Sequence, residues 1–142
     1  MKTDGTLAKR VVGFAMKVHS KLGAGFSEGV NQNALLVECA RAGLKAEASK
    51  KILVHYEGVT VGEFIPDMIV EDPASGEVLL IENKVVSTLV QAHIRQLINY
   101  LSATGIDQGL LLNFGAESIE FRTKERQYRK QSGPPDDVDL LA

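Results

Sequence analysis

Two acids and a lysine stand inside runs that are otherwise apolar. Asp67 follows Pro66 in "IPDMIV", and Glu82 and Lys84 close "VLLIENK", with fourteen residues between the two acids. Side chains alternate along a strand, so Glu82 and Lys84 share a face with Val78 and Leu80, and Asp67 shares one with Ile65 and Ile69. Burying such charges without partners is costly, so they must pair, neutralise or hold an ion. Carboxylates from two neighbouring strands suit Mg²⁺, which keeps several waters and takes only one or two protein carboxylates. Phosphodiester hydrolysis near neutral pH needs such a Lewis acid and a deprotonated water placed in line. Asp67 and Glu82 fit as ligands, the backbone carbonyl of Ile81 or Asn83 as a further donor, and Lys84 as the group that orients water and stabilises hydroxide. The Asn83 side chain points away from Glu82 and Lys84 and is given no catalytic role. The same three charges could instead form a buried salt-bridge cluster, and residue types alone leave both readings open.

The elements around them follow from periodicity. Val11, Phe14, Ala15, Val18 and Leu22 recur at helical spacing and predict a helix over about residues 7–22, ended by "GAG". A second helix starts at Ser27, an N-cap, and runs to Gly43. "KILVHYEGVTVGEFIPDMIVED" reads as two strands turning at Glu57-Gly58, and a turn over 73–76 leads to "EVLLIENK", giving a three-stranded meander. Val90, Ile94, Leu97 and Leu101 space a third helix over about 88–103, facing the core. "GLLLNF" is a strand buried on both faces, and "SIEFRT" a last strand. The order is ααβββαββ. Residues 1–130 are expected to form a single domain, and the polar, Pro-rich 131–142 a disordered tail.

Bulk properties narrow the class. A chain of 142 residues, 44% hydrophobic, suits one globular core. No run approaches the roughly 20 apolar residues of a membrane span, and no leader-like segment opens the chain, so a cytoplasmic protein with no membrane partner is expected. One cysteine, Cys39, and three scattered histidines exclude an internal disulfide and a zinc constellation; Cys39 reads as a small apolar residue in a helix. A net charge of −2 argues against coating nucleic acid by charge alone. Its distribution is uneven: seven acids and no basic residue from Glu57 to Glu82, against five basic residues and one acid from Phe121 to Lys130.

The spacing Pro66-Asp67, fourteen residues, Glu82-Asn83-Lys84 resembles the PD-(D/E)xK nuclease motif, proline included. "GFSEGVN", Gly25 to Asn31, after a helix containing "VHSKLGAG", is similar to the signature of the GxxExxY branch of that superfamily, and the likeness continues through "LLNFG", Leu111 to Gly115. It covers about residues 8–122. "QLINY", Gln96 to Tyr100, is similar to the QxxxY motif of the exonuclease-like branch. These resemblances imply a restriction-endonuclease-like α/β core, a central mixed sheet flanked by helices, with Mg²⁺ or Mn²⁺ as cofactor and DNA as substrate. They place Glu28 on a helix over the site, completing the metal set, and bring Gln96 and Tyr100 to it. Gln96 and Tyr100 share a helical face, and His93, three residues before Gln96, joins them as a candidate phosphate contact. The motif's tyrosine is Asn31 here, a smaller residue that could still contact substrate.

Two readings result. In the first, a metal-dependent nuclease uses Asp67, Glu82, Lys84, Glu28 and Gln96, while Arg122, Lys124 and Arg126 steer the nucleic-acid backbone. In the second, the fold is kept as a non-catalytic module binding nucleic acid or a protein partner. A domain this small could need a homodimer or a partner protein to grip a duplex.

Overall fold

The computed structural model describes residues 5–127. The tail expected from residue 131, together with Arg129 and Lys130, lies outside them. Helix α1, Thr6–Leu22, buries Leu7, Ala8, Val11, Val12, Ala15 and Val18 along one stripe. Helix α2, Glu28–Arg41, begins where the Ser27 hydroxyl accepts the Val30 N–H at 3.4 Å, and it buries Asn31, Leu35 and Cys39 at i, i+4 and i+8. Cys39 is fully buried, and burial pushes its thiol up to about 11, as befits a packing residue.

Five strands follow, not three: β1, Lys45–Ala48; β2, Ile52–Tyr56; β3, Val59–Phe64; β4, Met68–Glu71; and β5, Val78–Lys84. Helix α3, Gln91–Thr104, precedes β6, Gln108–Asn113, and β7, Glu120–Glu125, so the order is ααβββββαββ. One of the two added strands comes from a proline. The run from Val59 to Glu71 is broken at Pro66, which has no N–H to donate to a ladder. Its first part, β3, closes a separate two-stranded hairpin with β2, while β4 enters the main sheet. The expected meander is therefore absent. β4 pairs instead with the short edge strand β1, "KAEA", which has no apolar alternation to announce it.

The main sheet runs β1-β4-β5-β6-β7, antiparallel throughout except for the β5–β6 pair, the mixed sheet that was expected. Helices α1 and α2 cover one face, packing on Met68, Val70, Leu79, Ile81, Leu110 and Leu112. Helix α3 covers the other through Leu97 and Leu101 on Leu80 and Leu111. Both central strands are thus buried on both faces, which explains their continuous apolar runs. A Cβ at Gly109 would lie 2.9 Å from Leu97 Cδ1 and 3.1 Å from Leu101 Cδ1, so glycine here lets α3 lie close on β6. Val90 does not face the core: it is the N-cap of α3 and 48% exposed. No described helix is long and apolar enough to cross a membrane.

Candidate active site

Met68 pairs with Ile81 at the end of the β4–β5 ladder, which sets Asp67 opposite Glu82 one step beyond. The two carboxylates clasp each other's backbone: the Asp67 N–H donates to Glu82 Oε2 at 2.8 Å, and the Asn83 N–H donates to Asp67 Oδ2 at 2.7 Å. Each acid thereby commits one oxygen. Asp67 Oδ1 and Glu82 Oε1 accept no hydrogen bond among the described residues.

This crowding leaves negative charge uncompensated. Glu82 is only 6% exposed, and burial, then the Asp67 charge, push its carboxyl up to about 7 despite the opposing Asp67 N–H and Lys84 ammonium. Burial likewise raises Asp67, against the Asn83 N–H and Lys84. Glu28, exposed in the first turn of α2, adds a smaller unfavourable charge to Glu82. A divalent cation on the two uncommitted oxygens would relieve all of these. The donor set suits Mg²⁺ or Mn²⁺, for which two carboxylates and solvent suffice; no cluster of three or more Asp, Glu, His or Cys that could hold a metal occurs among the described residues. Of the two backbone carbonyls considered, Ile81 lies within the ladder between Met68 and Leu110, whereas Asn83 lies past the end of β4.

Lys84 projects on the same face as Glu82, and its Nζ lies 3.5 Å from Gln96 Oε1 on α3. One turn further along α3, the Tyr100 ring stacks on Phe64 at the end of β3, centroids 4.5 Å apart and planes 10° from parallel. Burial, then the charges of Glu82 and Asp67, push its hydroxyl pKa up, so the ring lies within the field of both acids. The sheet thus supplies Asp67 and Glu82, the middle of α3 supplies Gln96 and Tyr100, and the first turn of α2 sets Glu28 near enough for its charge to act on Glu82. The Asn83 side chain is turned to the α2 face, with Nδ2 3.3 Å from Gln32 Oε1.

Other candidates lie elsewhere. Asn31 is fully buried and donates to the carbonyls of Ser27 at 3.0 Å and Phe26 at 3.4 Å, so it has no surface for the expected nucleic-acid contact. It continues the inward stripe of Leu35 and Cys39 because all three share one side of α2. His93 closes the start of α3, its Nδ1 accepting the Val90 N–H at 3.0 Å. Arg122 shares a row with Leu111 and Glu82 and pairs with Glu120 at 3.7 Å. Arg126 lies at the opposite end of β7, 3.1 Å from Asp107, so the basic residues do not form one patch at the acids. A groove of about 810 Å³ opens elsewhere, between α1 and β7, lined by Val12, Met16 and Phe121.

Two residues escaped the sequence reading. Asn113 is fully buried at the end of β6, and Glu120 begins β7; together they hold the loop between Lys84 and α3. A polar Asn closing the apolar run "GLLLN" was the available signal.

No curated protein sequence matches this chain significantly. Among solved structures, the chain is similar to that of SSO0001, with a TM-score of 0.58 and 14% identity over 88% of this chain, which spans 61% of the length of SSO0001. It also matches Hjc, a Holliday junction resolvase from the archaeal hyperthermophile Archaeoglobus fulgidus, with a TM-score of 0.43 and 19% identity, covering 70% of this chain and 73% of that one. The first likeness concerns the fold. With the acids and lysine in this arrangement, the match of residues 5–126 to the profile of the PD-(D/E)XK nuclease superfamily is decisive: the chain belongs to that superfamily.

Proposed function

We propose that this chain is a divalent-metal-dependent nuclease that hydrolyses phosphodiester bonds in DNA. The carrying observation is the Asp67–Glu82 clasp, in which each acid keeps one oxygen uncommitted beside Lys84. Asp67 and Glu82 would hold Mg²⁺ or Mn²⁺, with the Asn83 carbonyl as a further donor, whereas Glu28, which the resemblance put in the metal set, makes no three-acid cluster with them among the described residues. When bound, the cation supplies the positive charge that offsets the negative charge developing on the phosphate. Lys84 holds a water for in-line attack, and Gln96 limits the swing of the Lys84 side chain. The Tyr100–Phe64 stack joins α3 to the end of β3 next to the Pro66-Asp67 turn. DNA is assigned from the motif resemblance, as is the finer placement in the GxxExxY branch on "GFSEGVN" and "LLNFG". A chain this small gripping a duplex would act as a homodimer or with a partner protein.

The test incubates the full chain with labelled single- and double-stranded DNA in Mn²⁺ or EDTA, with Lys84→Ala in parallel. Cleavage requiring both the metal and Lys84 is the expected result. Metal-independent DNA binding that survives Asp67→Ala, with no cleavage, would assign the fold to binding instead.

A further inference from the structure

Gln96 and Tyr100 reach the acids only if α3 starts in the right place, and what starts α3 is the connection 85–90. Its anchors come from the neighbouring strands β6 and β7. Lys84, Asn113 and Glu120 form one row across β5, β6 and β7, which puts Glu120 about 10 Å from Lys84 at the usual strand spacing. Asn113 Oδ1 accepts the N–H groups of Val86 at 3.0 Å and Gly115 at 2.9 Å, and its Nδ2 donates to Glu120 Oε1 at 3.0 Å. Glu120 Oε1 also accepts the Leu89 N–H at 2.9 Å, and Oε2 accepts the Thr88 hydroxyl at 3.2 Å while Arg122 stands 3.7 Å away. Loop backbone and side chain are thus held at Val86, Thr88 and Leu89, immediately before the first turn of α3.

Gly115 completes the seat. A Cβ there would lie 2.5 Å from Val86 O and 2.6 Å from Val86 N, so the loop rests directly on the 114–116 backbone. By contrast, the hydrogen bond from Lys84 to α3, that to Gln96, is long at 3.5 Å and exposed. The loop therefore sets the relation between β5 and α3 more firmly than the site residues do themselves.

We infer that Glu120, which touches neither the acids nor Lys84, is a positioning residue: through Asn113 and the 85–90 connection it fixes where Gln96 and Tyr100 stand over the Asp67–Glu82 pair. Its kinetic consequence rests on the nuclease reading; its structural consequence does not. In the full-length chain, Glu120→Ala is expected to lower kcat about 10- to 100-fold through misplacement of groups it does not contact. KM and Mn²⁺ affinity stay within about 2-fold, because the carboxylate clasp is untouched. Leu89 amide exchange accelerates, and the Gln96 side-chain amide and Tyr100 ring resonances shift. Glu120→Gln keeps one oxygen to accept from Asn113 and Leu89 and restores kcat to within about 3-fold of the parent.

A folded Glu120→Ala protein with unmoved Gln96 and Tyr100 resonances, or with an unchanged kcat, overturns the inference. If the parent chain cleaves nothing, the nuclease reading fails and those resonances alone decide this one. If Glu120→Ala does not fold, Thr88→Val removes a single exposed contact. It should slow Mn²⁺-dependent cleavage about 2- to 5-fold and move the same resonances, and their staying in place would equally overturn the inference.

Discussion

Two acidic centres share the α3 face of the main sheet, about two strand spacings apart. At one, Asp67 and Glu82 each accept a single backbone N–H, stand beside one another, and are both raised above their ordinary range, Glu82 to about 7. At the other, Glu120 accepts from Asn113, Leu89 and Thr88, faces Arg122, and is held below the ordinary carboxylate range, the Asn113 amide contributing most. An acid whose donors are complete organises the chain around it. A crowded pair with uncommitted oxygens leaves charge for something outside the chain to neutralise, and a cation that does so is available for chemistry.

The contrast breaks most sharply at the site. Lys84→Ala and Asp67→Asn should each reduce Mn²⁺-dependent cleavage by at least about 10³-fold in single-turnover assays. Asp67→Asn should also abolish Mn²⁺ binding by calorimetry, whereas Lys84→Ala should keep it. Equal loss of metal binding in both would mean that Lys84 is part of the cation site.

Acid titration should drive the two centres in opposite directions. Between the ordinary glutamate value of 4.5 and about 7, Glu82 holds a proton in the folded chain but not in the unfolded one. Metal-free stability should therefore fall as pH rises through that window, by on the order of 3 kcal/mol at most. Glu82→Gln should flatten the fall, and Mn²⁺ at pH 8 should raise the Tm of the parent only. Glu120 carries the reverse sign: its contribution is present above the ordinary glutamate value and is lost as pH falls through its lowered folded value. Loop amide exchange at Leu89 should accordingly quicken in acid, and Glu120→Gln should remove that acid limb.

Smaller changes sharpen the picture. Gly115→Ala should cost about 1–3 kcal/mol in denaturant unfolding, since backbone must move to admit the Cβ. Gln96→Ala should slow cleavage about 5- to 20-fold with Mn²⁺ affinity unchanged, because only the hold on Lys84 is lost. Arg126→Ala, which removes an ion pair with Asp107 at the far end of β7, should leave cleavage within about 2-fold and cost less than about 1 kcal/mol.

Much of this was legible residue by residue. The stripes of α1 and α2, the Ser27 cap and the continuous apolar strands β5 and β6 are local patterns whose burial follows from their period. The same alternation placed Glu82 and Lys84 on one face, and "IPD" and "ENK" together carried the superfamily. Where local pattern was weak, the reading missed: β1 has no apolar alternation, and Pro66 divides what looked like one strand between two sheets. Asn31 is the instructive side chain, because a polar residue on an amphipathic helix reads as exposed until its own carbonyl partners four and five residues back are seen.

By itself, then, the sequence determined the helices, the central strands and the two acids and lysine of the superfamily motif, since each rests on a short local pattern. Tertiary structure alone decided the rest. How far Glu82 is driven from its ordinary charge depends on burial by strands and helices distant in the chain. That Glu120 holds Leu89, 31 residues away, depends on β7 pairing beside β6. Nothing local distinguishes Glu120 from any other charged residue on an edge strand, because its partners exist only once the sheet has closed the distance.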